Sequence, residues 1–383
     1  MNIVFLARSL DYGGAERQLV ALAGGLHAKG HRVTVLLFYP GGPLAAELLV
    51  RGVPVRDLGK GHRWDVLGFL WRLVRSVRAA APDIVHAYLP VPNILAVLLW
   101  SCFPSAKVVW GVRASNMDLT RYDRLSRWTY RLEAKLAAKA DLIIANSHAG
   151  VDVLRRRGIP LQRVQVVPNG IDTERFAPDA AARERQRGQW GVGPDVKLIG
   201  LVARLDPMKD HPTFLRATAL LATQRDDVRF VCVGDGPADY RRQLLALAAE
   251  LGVASLLSWR GAVADTPAVY NALDLVTLAS YGEGFPNVVG EAMACGQPCV
   301  VTDVGDAARV VGDCGKVVPP RDPSALVAGW QAVLNLSDQD RAGLGAKARE
   351  RIVKEYRCQH LIDTSEALLS RLLPSTSPTS SPA

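Results

Sequence analysis

Short apolar runs alternate along this chain with longer amphipathic stretches, and they fall into two successive series. Runs of Val, Ile and Leu without polar alternation are typical of strands buried on both faces of a parallel sheet. The first series lies at 2–7, 33–39, 53–58, 84–89, 107–112, 142–146 and 164–168. The second lies at 196–203, 228–233, 256–259, 275–279, 299–304 and 316–318. This pattern predicts an α/β protein of two doubly wound, Rossmann-like domains facing across a cleft, with ligands at the carboxyl ends of strands.

The length of 383 residues also favours two domains over one. The stretch 175–195, rich in Ala, Arg, Gly and Pro, is interpreted as the connection between them. The predicted domains are therefore 1–175 and 176–373. The tail, 374–383, is almost entirely Pro, Ser and Thr and is expected to be disordered. The first residues are typical of a strand and not of a signal peptide, and the apolar run 94–103 is too short to span a membrane.

Charge is distributed unevenly between the two halves. Residues 1–175 hold 24 Lys and Arg against 13 Asp and Glu, a net charge of +11, whereas the rest of the chain is close to neutral. Such an asymmetry indicates an anionic partner for the first half, either a membrane surface or a nucleic acid. The six cysteines follow no zinc or haem spacing, so we expect reduced thiols in a cytosolic core.

The segment 282–298 carries the most chemical information. A glycine-rich turn follows an apolar run, Pro286 is placed to start a helix, and two carboxylates, Glu283 and Glu291, are separated by seven residues. A turn that feeds a helix N-terminus presents unpaired N–H groups to an anion. The carboxylates would repel that anion, but they can accept hydrogen bonds from hydroxyls beside it. A ligand with a central phosphate and hydroxyl-bearing rings on both sides is a nucleotide sugar.

Two further places suit a phosphate ligand. Arg204 and Lys209 follow the run 196–203, where both cations can offset the charge that develops on a diphosphate leaving group. Gly13 and Gly14 follow the first strand and open a helix, so that their backbone N–H groups can approach a phosphate from the first domain.

These residues resemble the E-x7-E signature of retaining glycosyltransferases of family 4, which have the GT-B fold. Three other segments match the family in the expected order, from Gly13 to Arg17, from Val167 to Asp172 and from Ala203 to Asp210. The resemblance covers residues from about 3 to 320, and the family includes enzymes of bacterial cell-surface polysaccharide and lipopolysaccharide synthesis. The resemblance also implies that the helical region 338–373 packs back onto the first domain. We interpret the turn at Asn169 as structural.

The resemblance implies roles for the site residues. Glu291 would bind the ribose hydroxyls of the donor, and Glu283 would bind the hydroxyls of the transferred sugar and act in catalysis with Arg204 and Lys209. The remaining donor-binding residues of the motif would be Gly284, Phe285, Pro286, Asn287 and Val288. Backbone groups of Phe285, Asn287 and Val288 would hold the sugar and the phosphate. By analogy, the segment Arg260, Gly261 and Val263 would contact the base.

The acceptor side departs from the family pattern at two positions. The family has a His-x-His pattern where this chain has His86 and Tyr88, and a cleft histidine where this chain has Arg113. His86 and Arg113 are therefore the acceptor-side or phosphate-side candidates, with His86 also a catalytic candidate at a strand end. No general base is evident, which fits a retaining mechanism in which the leaving phosphate takes the acceptor proton.

Two basic amphipathic stretches, 62–78 and 121–139, combine Arg and Lys with Trp, as interfacial membrane helices do. An ordinary helix with a solvated basic face is the alternative. Nucleic acid is not expected, since no recognised binding module is present.

The sequence thus predicts a cytoplasmic glycosyltransferase, peripheral at the inner face of the membrane. It would transfer a sugar from a nucleotide donor, a uridine diphosphate sugar, to a lipid-linked or polysaccharide acceptor. No cofactor or metal is expected, because the cations replace it. A sugar-nucleotide epimerase of the same fold and a non-catalytic nucleotide-sugar-binding protein remain alternatives.

Overall fold

Two parallel sheets organise the chain, one in each of two units. The computed structural model describes residues 1–62, 64–113 and 124–374. The first unit comprises Met1–Gly170 and the chain from Cys358 onward, and the second comprises Ile171–Arg357. Every apolar run predicted as a strand contains one, with ends within two residues of the prediction.

The first unit has a seven-stranded sheet of order β3-β2-β1-β4-β5-β6-β7. Its strands are β1 (Asn2–Ala7), β2 (Arg32–Leu37), β3 (Val55–Asp57), β4 (Ile84–Tyr88), β5 (Lys107–Val112), β6 (Leu142–Ala145) and β7 (Val164–Val166). Its helices before the chain leaves this unit are α1 (Gly14–Ala28), α2 (Leu44–Val50), α3 (Leu67–Ala80), α4 (Pro90–Leu98), α5 (Arg124–Leu136) and α6 (His148–Arg156).

Both faces of this sheet are covered, which is why its strands are almost continuously apolar. Phe5 of β1 packs with Leu22 of α1 on one face, and its neighbour Leu6 packs with Phe69 of α3 on the other. Each such buried side chain contributes roughly 1.5–3 kcal/mol relative to exposure. The strand order reverses between β1 and β4, so the loops after these two strands diverge and leave room for a ligand.

The second unit has a six-stranded parallel sheet of order β10-β9-β8-β11-β12-β13. Its strands are β8 (Lys197–Val202), β9 (Val228–Val233), β10 (Leu257–Arg260), β11 (Leu275–Leu278), β12 (Cys299–Thr302) and β13 (Gly315–Val318). Its helices are α7 (Ala180–Trp190), α8 (His211–Ala222), α9 (Ala238–Glu250), α10 (Thr266–Ala272), α11 (Asn287–Ala294), α12 (Ala307–Val311), α13 (Pro323–Leu334) and α14 (Asp338–Glu355). Here the order reverses between β8 and β11.

The boundary between the units differs from the prediction. The units divide at Gly170 and Ile171, five residues before the predicted end of the first domain. The prediction that 175–195 is a connection was wrong, because this stretch contains α7. Asp179 caps this helix by accepting from Ala182 N at 2.9 Å, and the buried Arg187 donates to Asp274 at 3.0 Å. A helix anchored through a buried arginine gives no apolar periodicity by which sequence could identify it.

The last described helix, α15 (Cys358–Ser370), belongs to the first unit. It packs so closely on α1 that a Cβ on Gly25 would overlap Ile362. Lys29 of α1 forms ion pairs with Asp363, at 2.6 Å, and with Glu366. Of the tail predicted to be disordered, residues 375–383 lie outside the described residues. Within the described ranges, no helix is both long and apolar enough to cross a membrane.

Candidate functional site

The loops after β8 and β11 form the centre of the site in the second unit. These strands are neighbours at the point where the strand order reverses, which is where ligands bind in open α/β sheets. The loops contact each other directly, because Tyr281 N donates to Met208 O at 3.0 Å. Lys209 and Glu283 lie on these loops, so two motifs that are 74 residues apart in sequence meet in space.

Lys209 and Glu283 form a close ion pair. The Lys209 ammonium lies 2.5 Å from Glu283 Oε1, and the two side chains are only 16% and 9% exposed. Ser280 Oγ donates to the same Glu283 oxygen at 2.7 Å, and Thr302 Oγ1 donates to Ser280 O at 2.6 Å. Two charge-assisted hydrogen bonds on one oxygen hold the Glu283 carboxylate in a defined orientation.

The loop that carries Lys209 is shaped by two aspartates. Asp206 accepts from Met208 N at 2.9 Å and so caps the short 3-10 turn Pro207–Lys209. Asp210 has a φ of 49°, in the left-handed region that non-glycine residues rarely adopt, and its side chain caps α8 by accepting from Thr213 N at 3.2 Å. Backbone strain of this kind is maintained at functional sites by surrounding contacts.

The turn that carries Glu283 is fixed by a close backbone approach. Gly305 has a φ of 58°, and a Cβ there would overlap the carbonyl oxygens of Glu283 and Gly284. The next residue, Asp306, donates its N–H to Gly284 O at 2.9 Å. Only glycine fits position 305 without strain, so this residue supports the turn although it lies outside the motif.

Glu291 lies on α11, which begins at Asn287 directly after Pro286, as the sequence predicted. The Glu291 Oε2 atom accepts a hydrogen bond from Tyr270 OH at 2.8 Å. Tyr270 is fully buried on α10, and burial together with the neighbouring Glu291 carboxylate raises the pKa of its hydroxyl well above the ordinary value. Its proton therefore stays on the phenol and is donated to Glu291.

The remaining donor-side candidates are Arg204, Arg260, Gly261 and Val263. The Arg204 side chain is 75% exposed and lies 3.8 Å from Asp206 Oδ2, so it is loosely held. Gly261 and Arg260, at the end of β10, accept from Gly234 N through their carbonyl oxygens at 3.1 Å. The Arg260 guanidinium packs over the ring of Trp190 at 5.6 Å. Val263 packs against the apolar core of this unit.

The sequence analysis missed two groups near the Lys209 loop, the buried His211 and the half-buried Tyr240. His211 has no exposed surface, and its ring stacks on Trp259 with ring centroids 6.4 Å apart. Burial, followed by the Lys209 charge, lowers the pKa of His211 to about 4, so the ring is neutral at physiological pH. Burial and the nearby Asp210 and Asp206 carboxylates raise the pKa of Tyr240 to about 12.

The first unit contains the other candidate site residues, beginning with Gly13 and Gly14. Gly13 caps the start of α1 and Gly14 is its first residue. A Cβ on Gly13 would overlap the Glu16 carboxylate, so this helix N-terminus already has a negative charge beside it. That charge disfavours the predicted phosphate contact at Gly13.

We expected His86 at a strand end facing a cleft, but it lies within β4. It has no exposed surface, and its ring lies between those of Phe5 and Tyr88, with ring centroids 5.2 and 4.9 Å away. Burial, and secondarily the charge of Arg113, lowers the pKa of His86 to about 3. The structure therefore places it as a neutral core residue that does not face solvent, because the alternating side chains of β4 direct it into the sheet's covered face.

Arg113 follows β5 and is buried, with 9% of its surface exposed. It donates to Tyr88 OH at 2.8 Å and to Asn169 Oδ1 at 3.0 Å, and its guanidinium lies 4.8 Å from the centre of the Tyr88 ring. Gly111 makes room for that ring, because a Cβ there would lie 3.2 Å from it. The two positions that depart from the family pattern, Tyr88 and Arg113, are thus in direct contact.

The structure also contains a cavity of about 900 Å³ in the second unit, at the opposite end of the sheet from Glu283. Gly296 and Gln297, which precede β12, line it together with Arg349 of α14. None of the predicted site residues lines this cavity. Within the described ranges, no three His, Cys, Asp or Glu side chains are grouped so as to hold a metal ion.

Tyr270, Ser280, Thr302 and Gly305 are the supporting residues that sequence reasoning missed. Ser280 lies three residues before Glu283, which is a spacing that sequence could have suggested. Tyr270 and Gly305 lie in segments separated from the motif, and only the packing of α10 and of the loop after β12 brings them to it.

Comparison with known proteins agrees with this geometry. Residues 12–175 match the family described as Glycosyltransferase Family 4, and residues 196–336 match Glycosyl transferases group 1. The chain is 34% identical over 342 residues to D-inositol 3-phosphate glycosyltransferase of Saccharomonospora viridis, covering 81% of this chain and 77% of that protein. It is 36% identical over 282 residues to the protein of that name from Salinispora arenicola, covering 66% of this chain and only 61% of that relative.

Solved structures show the same fold. The structure of Anabaena Alr3699/HepE in complex with UDP has a TM-score of 0.85 at 24% identity, covering 97% of this chain and 100% of that one. WaaG, a glycosyltransferase involved in lipopolysaccharide biosynthesis, has a TM-score of 0.72 at 18% identity, covering 96% and 99%. These likenesses show the fold, the GT-B fold with two Rossmann-like domains, as predicted. The chain belongs to glycosyltransferase family 4, which confirms the resemblance seen in its motifs.

Proposed function

We propose that this protein is a retaining glycosyltransferase that transfers a sugar from a uridine diphosphate sugar to a lipid-linked or polysaccharide acceptor. The observation that carries the proposal is the ion pair of Lys209 and Glu283, formed at the point where the strand order of the second unit reverses. Glu291 lies nearby in sequence on α11, whose N-terminus is the positive end of a helix dipole. A cation, a helix N-terminus and two oriented carboxylates suit a ligand with both phosphate and hydroxyl groups.

Each residue has a distinct task in this proposal. Lys209, with the exposed Arg204 moving toward the ligand, offsets the negative charge that grows on the departing diphosphate. Glu283 accepts hydrogen bonds from hydroxyls of the transferred sugar. Glu291 accepts them from the ribose. Because Ser280 and Tyr270 hold the two carboxylates by hydrogen bonds from within the protein, little reorganisation is required when the donor binds.

The chemistry needs no protein base. The bond between the sugar's anomeric carbon and the phosphate oxygen breaks, and the acceptor oxygen forms its bond to the same face of that carbon. The acceptor's hydroxyl proton passes to the leaving phosphate oxygen, so the products are the new glycoside and the nucleoside diphosphate. The burial of His86 agrees with such a mechanism, because a neutral core histidine is not available to take that proton.

Comparisons support the donor and broaden the choice of acceptor. Alr3699/HepE was crystallised with UDP and also with UDP-glucose, which favours a uridine nucleotide here. The relatives are named for D-inositol 3-phosphate, so a small phosphorylated polyol is an acceptor to be tested beside lipid-linked ones. Arg113, a buried cation bonded to the neutral groups of Tyr88 and Asn169, is the acceptor-side residue best suited to an anionic group.

We also propose that the first unit binds anionic membranes from the cytoplasmic side. Large apolar side chains are exposed on helices that pack on one face of its sheet: Leu67 at 83%, Trp71 at 61%, Leu125 at 64% and Trp128 at 66%. Arg75 lies 5.1 Å over the Trp71 ring, and Arg127, Arg131 and Lys135 are exposed beside Trp128. Arg63, Arg121 and the side chain of Arg124, which belong to the predicted basic stretches, lie outside the described residues.

Calorimetry and a transfer assay test the proposal together. The purified protein should bind UDP, and it should release UDP from a UDP-sugar faster when an acceptor is added, with the anomeric configuration retained in the product. An epimerised nucleotide sugar formed without acceptor would favour the epimerase instead. Binding of UDP without turnover on any acceptor panel would favour the non-catalytic alternative, and inversion at the anomeric carbon would overturn the retaining mechanism.

A further inference from the structure

Tyr270 is a core residue of the second unit whose hydroxyl contacts a predicted site residue, Glu291. It has no exposed surface, yet its hydroxyl bonds to the Glu291 carboxylate and not to a backbone group. Its ring packs edge-on against Phe176 with centroids 6.0 Å apart. A buried phenol needs a hydrogen-bond partner, but a partner that is itself an ionised group makes a stronger and more directional bond than a neutral one.

The helix that carries Tyr270 is anchored on both sides of it. Asp265 caps the start of α10 by accepting from Ala268 N at 3.3 Å. Asn271, the next residue after Tyr270, accepts from Asp179 N at 2.9 Å and donates to Ala177 O at 3.0 Å. Because its neighbours are fixed in this way, the Tyr270 hydroxyl is a stationary point from which the Glu291 side chain is oriented.

The end of α10 is clamped by a second network. Arg183 donates to the carbonyl oxygens of Asn271 and Leu273 at 3.0 and 2.8 Å, and it forms an ion pair with Asp274 at 2.6 Å. Asp274 also accepts from Arg187 at 3.0 Å. Arg187 and Asp274 are buried, Arg183 is half-buried, and all three charges are paired and hydrogen-bonded, which makes α10 costly to displace. The contacts belong to α7 and α10 and are independent of the motif itself.

We propose that Tyr270 is a positioning residue which orients Glu291 toward the ribose and thereby gives the site its preference for ribonucleotides over 2′-deoxyribonucleotides. The inference rests on the proposed function, in which Glu291 accepts hydrogen bonds from the ribose hydroxyls. With one carboxylate oxygen fixed by Tyr270, the carboxylate plane is set before ligand arrives. A freely rotating glutamate would lose rotamer entropy on binding and would discriminate less between the two sugars.

Titration calorimetry of the full chain with UDP and with 2′-deoxy-UDP tests the inference. The wild-type protein should bind UDP about tenfold more tightly, the scale of one hydrogen bond to a charged group. Tyr270→Phe keeps the ring and removes only the hydroxyl, so it should weaken UDP binding by a similar factor while it leaves 2′-deoxy-UDP nearly unaffected. The ratio of the two affinities should therefore approach one.

Two further variants complete the design. Tyr356→Phe is the matched control, because Tyr356 is also buried in the second unit but its hydroxyl bonds to the backbone oxygen of Arg309, at 3.4 Å, and interacts with the Arg351 side chain instead of with Glu291. Its affinity ratio should equal that of the wild type. Glu291→Asp withdraws the carboxylate from Tyr270 while it keeps the charge, and it should lose the preference as Tyr270→Phe does. Because Glu291→Asp also withdraws the carboxylate from the ribose, only Tyr270→Phe isolates the positioning role.

The outcomes separate the inference from the proposed function. An unchanged affinity ratio in Tyr270→Phe, with the preference lost in Glu291→Ala, would overturn the positioning role and leave the ribose role of Glu291 intact. A preference that survives in Glu291→Ala would overturn the ribose assignment, and with it this inference. Loss of the ratio in Tyr270→Phe and Glu291→Asp but not in Tyr356→Phe would support the inference, because a general loss of core packing would affect all three.

Discussion

The Lys209 ammonium lies 2.5 Å from Glu283 Oε1, between two loops that the sequence separates by 74 residues. Each charge is therefore compensated by the other. When a diphosphate arrives, Lys209 gains a second anion, and Glu283 keeps the hydrogen bond from Ser280 at 2.7 Å that holds it in place. The pair thus couples the phosphate-binding and sugar-binding functions that we propose for the two residues.

Removing the Lys209 charge should abolish most of the turnover. We expect Lys209→Ala to lower kcat at least about a hundredfold, because a transition-state charge partner is lost and Glu283 is left uncompensated. Arg204→Ala should lower it by a similar factor if the exposed guanidinium moves onto the diphosphate. Lys197→Ala is the control, since Lys197 pairs with Asp338 at 3.4 Å, remote from the motif. Steady-state kinetics on the folded variants measure these changes. Near-normal turnover in both Lys209→Ala and Arg204→Ala would remove the two cations from the mechanism.

Substitutions of Glu283 and of Glu291 should have different effects on nucleotide affinity. Glu291→Ala should weaken the affinity for UDP, because the ribose is common to donor and product. Glu283→Ala should leave the UDP affinity within about twofold while it lowers kcat, because it contacts only the transferred sugar. Calorimetry with UDP gives the affinities, and a coupled assay of UDP release gives the rates. Equal losses of UDP affinity in the two variants would contradict the assignment.

Turnover should not require a divalent metal ion. The cations Lys209 and Arg204 supply positive charge at the diphosphate in our proposal, so EDTA should leave kcat unchanged within error. The assay compares enzyme dialysed against EDTA with the same enzyme after addition of Mg²⁺ or Mn²⁺. Activity that disappears with EDTA and returns with either ion would show that a metal site was missed.

Binding to anionic vesicles should depend steeply on salt. Each cation near such a surface contributes roughly 1 kcal/mol, and the attraction fades within a Debye length. We expect co-sedimentation with anionic but not with neutral vesicles, lost at high salt and in a variant that reverses Arg127, Arg131 and Lys135. Reversal of Arg185 and Arg216, exposed on the second unit, is the matched control. If the wild type ignores anionic vesicles at low salt, the basic face is ordinary solvated surface.

The buried histidines should destabilise the protein in mild acid. Burial lowers the pKa of His86 to about 3, below the ordinary value of about 6.5 that it recovers on unfolding. Below that ordinary value the unfolded chain binds a proton that the folded chain does not, so stability falls as the pH decreases toward 3. Between pH 7 and pH 5 this amounts to about 2 kcal/mol for one such histidine.

Denaturant unfolding of the wild type and of His86→Leu at both pH values measures this loss. The variant should lose about 2 kcal/mol less than the wild type between pH 7 and pH 5, because leucine has no proton to gain. His62→Leu, at an exposed position, should lose as much as the wild type. An identical pH dependence in the wild type and in His86→Leu would mean that His86 is protonated in the folded state.

Much of the fold was accessible from sequence, because a strand buried on both faces leaves a continuous apolar run. All thirteen strands within the described part of the chain were recognised in this way. Helices that rely on polar anchors were not: α7 is held by Arg183 and Arg187 on Asp274, and nothing in its composition indicates this. His86 was misplaced for a related reason, since the sequence does not show on which face of a covered strand a lone polar residue lies.

The sequence by itself determined the two parallel sheets, the family, and the motif residues Lys209, Glu283 and Glu291, because strand periodicity and helix-starting turns are local properties of the chain. The tertiary structure alone decided which of these residues meet and what holds them. The pairing of Lys209 with Glu283 and the bond from Tyr270 to Glu291 both depend on the order of strands in the second sheet and on the packing of α10. Such contacts join distant segments, and their geometry is fixed only when the whole core has packed.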